Sequence, residues 1–188
     1  MHITGEHYHV YNRGAHKAPI FLDGNDYAHF VKLLYVANDT RNLGRGWSNR
    51  DTWMPCAKEK IVDIFAYCAM PNHFHIGVIE KAPDGLEKFM RRLFTAYTAY
   101  YNKKYDHSGT LFQGACKSKH VDNDDYLRYL IEYIHLNPFG IDEPYLMKTA
   151  KPEYFMEALE YSKNYEFSSL KDYLGVIRPQ NIIVSMQR

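Results

Sequence analysis

The sequence predicts an α+β fold, an antiparallel sheet with helices packed on it. Three observations predict it. Segments of strand period flank a Pro71-Asn72 turn, and two long segments at 84–105 and 122–137 carry helical period. The elements then follow the order strand, helix, strand–turn–strand, helix, strand, helix.

Residues Tyr8 to Arg13 alternate well enough for a first strand, which Gly14 ends. Asp23-Gly24-Asn25-Asp26 punctuates the chain, and Asp26 is the expected N-cap of a helix reaching Val36. Residues 38–57 are rich in Asn, Arg, Gly, Asp and Trp without periodicity, and read as a long exposed loop. Ile61 to Met70 and His73 to Glu80 form two strands joined by the turn. Side chains alternate across a strand, so Phe74, Ile76 and Val78 share one face and His73 and His75 the other.

From Asp84 to Tyr105, Leu86, Phe89, Met90, Leu93, Phe94, Tyr97, Tyr100 and Tyr101 fall in one helical arc. Lys88, Arg91, Arg92 and Lys103 fall opposite. Thr110 to Phe112 and Lys117 to Val121 are short strand candidates. Asp122 to Asn137 is a second strong helix, with acids in its first turn where the dipole favours them and Pro138 stopping it. A further helix is expected near Pro152 to Ser162, followed by a tyrosine-rich tail.

A chain of 188 residues buries a sufficient core without disulfides or metal staples. Its three cysteines, Cys56, Cys68 and Cys116, include no CxxC pair, and its first eleven residues are too polar for a secretory signal. No apolar run is long enough to cross a membrane. A cytoplasmic protein with reduced thiols, making no membrane contact, is expected. The formal net charge is only +1, but its distribution is uneven. From Leu86 to His120 seven Lys/Arg face two acids, whereas from Val121 to Asp172 eleven acids face five bases. A neutral chain divided in this way can present a local anion-binding face.

Two constellations carry potential chemistry. In Met70-Pro71-Asn72-His73-Phe74-His75, two imidazoles on one strand face can converge on one divalent ion; the plainer alternative is a pair of partly exposed sheet residues. In Tyr133-Ile134-His135-Leu136-Asn137-Pro138, a phenol and an amide lie one helical turn apart. Tyr126, Tyr129 and Tyr133 also form an i, i+3, i+7 stripe that core packing alone would explain, and spacing does not choose among the three. The basic helix face with Lys117 and Lys119 reads either as a phosphate track or as an ordinary solvated surface.

These blocks, with Ser108-Gly109-Thr110-Leu111-Phe112-Gln113-Gly114 and Lys117-Ser118 between them, occur in the order and spacing of a known family. The chain resembles the REP-associated tyrosine transposases, relatives of the insertion-sequence-200-like transposases in the HUH endonuclease superfamily. The resemblance covers roughly Tyr8 to Gly140 and extends weakly to Phe167-Ser168-Ser169-Leu170 and Tyr173-Leu174-Gly175. It implies a ferredoxin-like sheet in a catalytic domain over 1–140, and a C-terminal helical tail over 141–188 packing on it. It implies His73, His75 and Asn137 as ligands of Mg²⁺ or Mn²⁺, and Tyr133 as the single nucleophile. Single-stranded DNA with hairpin elements would be nicked and joined through a 5′-phosphotyrosine. Arg13, Lys88, Arg91, Arg92, Lys103, Lys117 and Lys119 would contact that DNA.

Relatives occur both as monomers and as homodimers that exchange tyrosines, and spacing does not decide between them. Where many relatives carry Arg-Phe after the glycine, this chain has Ala115 and Cys116, which removes one expected DNA contact. That departure motivates an alternative, a hairpin-binding module that does not cut. A zinc hydrolase using His73, His75 and His120 or Cys68 is a further alternative, and it leaves Tyr133 idle.

Overall fold

The computed structural model describes residues 2–41, 59–142 and 154–185. Most of the loop expected at 38–57, and the start of the helix expected at Pro152, lie outside them. Four strands, β1 (His7–Arg13), β2 (Val62–Met70), β3 (His73–Glu80) and β4 (Lys117–Val121), form one antiparallel sheet in the order β2-β3-β1-β4. Helices α1 (Gly24–Val36) and α2 (Gly85–Tyr105) supply the crossovers, and α3 (Asp124–Leu136) follows the last strand. The short α4 (Phe139–Asp142), α5 (Phe155–Lys163) and α6 (Leu170–Tyr173) follow among the described residues.

The two-residue period of the strands sorts this sheet into two faces. Tyr8, Val10, Phe74, Ile76 and Val78 point into the larger core, with Phe30, Leu33, Leu34, Phe89, Leu93 and Tyr97 from α1 and α2. Phe74 is fully buried there, its ring 5.1 Å from Phe30 and 5.7 Å from Phe94. The opposite face packs Cys68, Met70, Ile79 and Val121 against Leu130 and Ile134 of α3. Gly77 lies on that second face, beside the irregularity between Ile64 and Ala66 of β2. A Cβ on Gly77 would meet the Phe65 ring at 2.2 Å, so the close passage of β2 requires glycine.

Two expectations are corrected. The N-cap of α1 is Asp23 rather than Asp26, and Asp26 is the third-residue partner of a capping box, in the first turn. Asp26 is fully buried, and a buried carboxylate needs more donors than an N-cap provides. It accepts from the backbone of Leu22 and Asp23 and from Lys104, Tyr100 and Tyr105. Thr110 to Phe112 does not form a strand, since only a single bridge joins Phe112 to Gly14 before Gly114 turns the chain at φ +72°.

The C-terminal residues cover the free edge of β2. Ala69 donates to the Phe167 carbonyl at 2.9 Å, Ser169 donates to the Tyr67 carbonyl at 2.9 Å, and Ser185 donates to the Ile64 carbonyl at 2.8 Å. Arg178 pairs with the buried Asp172 through two nitrogens at 2.9 and 2.7 Å and locks this segment in place. An edge that would otherwise present unpaired amides is thereby occupied.

Candidate active site

The second face of the sheet carries the polar side chains. Register places Arg13 opposite His73 and Tyr11 opposite His75, with Lys117 opposite Tyr11 and Lys119 opposite His9. Above this row α3 contributes Tyr133 and, immediately after it, Asn137. A cleft of about 390 Å³ is lined by Tyr11, Arg13, His73, His75, Gln113, Lys117 and Tyr133.

Each functional side chain is held by its neighbours. His73 Nδ1 lies 2.7 Å from Asn72 Oδ1, while the Asn72 amide nitrogen donates to the Lys17 carbonyl at 3.1 Å. The Asn72 oxygen is therefore the acceptor, and Nδ1 of His73 carries the proton. His73 Nε2 then presents a lone pair, 3.2 Å from Asn137 Oδ1. Burial, followed by the charge of Arg13, lowers the pKa of His73, although Asn137 opposes this. The neutral ring is favoured, so two lone pairs face each other across 3.2 Å.

A divalent cation held by both atoms would remove that conflict. His75 lies next to this pair. Its ring centroid is 5.1 Å from that of His73, at an interplanar angle of 84°. Burial first, then His73, His9 and Arg13, hold its pKa well below the ordinary value. Two neutral imidazoles and an amide oxygen suit a divalent ion that keeps open positions for water or phosphate.

The Tyr133 ring packs edge-on against His75 of the same chain, with centroids 5.1 Å apart. Burial raises the phenol pKa, while a hydrogen bond from Asn137 and the charge of Arg13 work against that. The phenol therefore holds its proton at neutral pH in the free protein. The Asn137 amide joins both halves of the site, its oxygen toward His73 and its hydrogen bond to Tyr133.

The seven basic residues expected to contact DNA separate into two groups. Arg13, Lys117 and Lys119 lie on the cleft face. Lys88, Arg91, Arg92 and Lys103 ride on α2, behind the sheet. Lys88 donates to the Thr40 carbonyl at 2.9 Å, and Arg92 donates to the carbonyls of Ala37, Asp39 and Arg41. Arg91 borders an apolar groove of about 710 Å³ between α2 and residues 109–118, and Lys103 is exposed near the end of α2.

Sequence reasoning missed His9, Tyr11 and Gln113. His9 Nε2 lies 2.9 Å from His75 Nδ1, and burial followed by the charge of Lys119 pushes the His9 pKa down to about 4. The signal was present: alternation over Tyr8 to Arg13 places His9, Tyr11 and Arg13 on one face, but only strand register aligns that face with His75. The third ligands offered for zinc do not join the cleft. His120 turns to Glu6 on the other face, and burial holds the Cys68 thiol protonated. Among the described residues no three of His, Cys, Asp or Glu cluster as ligands.

Residues 48–137 match the family model described as "Transposase IS200 like". Among solved structures, a REP-associated tyrosine transposase bound to a REP hairpin shares the fold with a TM-score of 0.60 at 13% identity, over 96% of this chain and 87% of that one. No curated protein matches. Among the described residues no helix is long and apolar enough to cross a membrane.

Proposed function

We propose that this chain, whose residues 48–137 match the IS200-like transposase family model, nicks and rejoins single-stranded DNA beside hairpins, with Tyr133 as nucleophile. The observation that supports this is the convergence of Tyr133 and Asn137 with His73 and His75 in a cleft bordered by Arg13 and Lys117. Tyr133 packs on His75 of its own chain, which supports a tyrosine acting beside its own histidines. The hairpin in the structurally similar transposase supports a hairpin as the folded element of the substrate.

His73 and His75, through Nε2, and Asn137, through Oδ1, would hold Mg²⁺ or Mn²⁺. When bound, the ion supplies positive charge to the phosphate oxygens and favours the ionised phenol beside it. Arg13 and Lys117 draw the phosphodiester into the cleft. Asn137 orients the Tyr133 oxygen and stabilises its ionised form. Tyr133 Oη gives up its proton and forms a bond to phosphorus as the bond from phosphorus to the 3′ oxygen breaks. The 3′ oxygen takes a proton and leaves as a free hydroxyl. The phosphotyrosine keeps one ester bond for the one broken, so attack by a 3′-OH reverses the step without ATP. Residues 1–140 would form the catalytic domain and 141–188 its packed extension.

The test uses 3′-labelled hairpin oligonucleotides with single-stranded flanks and Mg²⁺ or Mn²⁺, resolved on a denaturing gel. The wild type is expected to carry label covalently and Tyr133→Phe none, while both shift the hairpin on a native gel. Label on Tyr133→Phe would overturn the nucleophile. A shifted band without an adduct at any divalent ion would favour the non-cutting module, the reading that Ala115 and Cys116 motivate.

A further inference from the structure

Tyr133 is the inner member of a stack of three rings. Tyr129 lies 6.0 Å from it at an interplanar angle of 23°, and Tyr126 lies 6.2 Å beyond Tyr129 at 22°. Core packing explains the outer and inner rings, which are half-buried, but not Tyr129, which is 52% exposed. The stack continues the cleft outward along the surface of α3.

Charge is arranged on either side of this stack. Toward the sheet, Lys117 and Lys119 project from β4 on the cleft face, both exposed. The Lys119 ammonium sits 4.3 Å from the centroid of the Tyr126 ring, and Lys117 borders the cleft with Tyr133. Side chains two apart on a strand stand about 7 Å apart, so a row of cations runs alongside the row of rings. At 100° per residue, Asp125 and Glu132 fall on the other side of Tyr129, and both are exposed. Asp125 is paired with Arg128 at 3.3 Å on that outer side, so the excess of cations lies on the sheet side and a polyanion is drawn there. A strand whose phosphates follow Lys117 and Lys119 leaves its bases over the tyrosines.

We propose that this surface is a track for single-stranded DNA. A base of the unpaired segment next to the phosphate at Tyr133 packs on the exposed part of the Tyr129 ring, and the adjoining phosphates lie along Lys117 and Lys119. The inference rests on the reading above and specifies which part of the substrate lies where. Unpaired bases fit this surface because their π-faces are open, whereas duplex DNA offers it only phosphates.

The test measures fluorescence anisotropy of a dye-labelled dT oligonucleotide, single-stranded or annealed to its complement, in the Tyr133→Phe background, which keeps the ring and forms no covalent product. Tyr129→Ala is expected to weaken single-strand binding about five- to a hundred-fold, with duplex binding and the salt slope unchanged. Tyr129→Trp is expected to restore binding. Lys119→Ala is expected to reduce the slope of log K against log salt by about 0.7 for the single strand. Tyr129→Ala should melt at the wild-type temperature, since its ring is exposed.

No binding of dT, no effect of Tyr129→Ala, or equal weakening toward both forms of DNA would overturn the track. If Tyr129-dependent binding holds but the wild type forms no adduct, the cutting reading falls and the track stands. An adduct without Tyr129 dependence gives the converse.

Discussion

The two faces of the sheet are made from the same strands yet differ in almost every physical respect. Toward α1 and α2 lie Tyr8, Val10, Phe74, Ile76 and Val78, sealed among aromatic and aliphatic side chains. The charges nearby are tied down: Lys104 to Asp23 and Asp26, Lys88 and Arg92 to carbonyls of residues 37–41. Toward α3 lie His9, Tyr11, Arg13, His73 and His75, with lone pairs that face one another and cations open to solvent. The difference teaches how a small domain separates stability from chemistry. Alternation along β1 and β3 gives each residue one role, so a polar cleft costs the main core nothing.

Substitutions on the two faces should therefore fail in different ways. The largest effect is expected from Phe74→Ala, which opens a cavity among Phe30, Phe94 and Phe112 and should cost about 3–5 kcal/mol in a denaturant titration. Its neighbour His73→Ala should leave the melting temperature near that of the wild type while removing metal-dependent cleavage. A collapse of stability in His73→Ala would show that the faces are not separate.

Acid should act on both sides next: burial holds His29 of α1, beside the main core, down to about 4. His9 and His135 are both held down to about 4 by burial, from an ordinary value of 6.5. The unfolded chain takes up these protons first, so stability is full above pH about 6.5 and falls as pH drops toward about 4. The loss approaches about 3 kcal/mol for each imidazole. His135→Gln, which can still hydrogen-bond Ser169 Oγ, should flatten that slope in thermal melts across the range. An unchanged slope would refute the assignment to His135.

A smaller effect separates His9→Leu from His9→Gln. With Nδ1 of His75 protonated and donating to His9 Nε2, the Nε2 of His75 is free for the ion. Leucine cannot accept that bond and glutamine can. Mn²⁺ affinity by calorimetry should fall about 10–100-fold for His9→Leu and much less for His9→Gln. Equal losses would reduce His9 to packing. The smallest effect is expected from Lys88→Ala, whose ammonium serves the Thr40 carbonyl. Hairpin affinity should change less than twofold, whereas Lys117→Ala should weaken it and lower its salt dependence. A larger loss for Lys88→Ala would extend the DNA surface behind the sheet.

Strand and helix order were legible because strong periodicity survives in a single sequence. β3 and β4 match their expected bounds, and the arc of α2 from Leu86 to Tyr101 is largely the arc that is buried. Asp26 was misread because an N-cap and the third residue of a capping box use the same side chains, and only the neighbours from α2 distinguish them. The basic residues were grouped by helical face, yet a face turned from the core still reached the segment after α1.

By itself the sequence determined the α+β class, the polar face of the His73–His75 strand and the one-turn spacing of Tyr133 and Asn137, because period and offset are local properties of the chain. Tertiary structure decided which tyrosine meets the histidines, that His9 backs His75, and which cations share the cleft. Those facts depend on strand register and on where α3 crosses the sheet, and both are settled by contacts between residues far apart in the chain, such as His9 and His75, 66 positions apart.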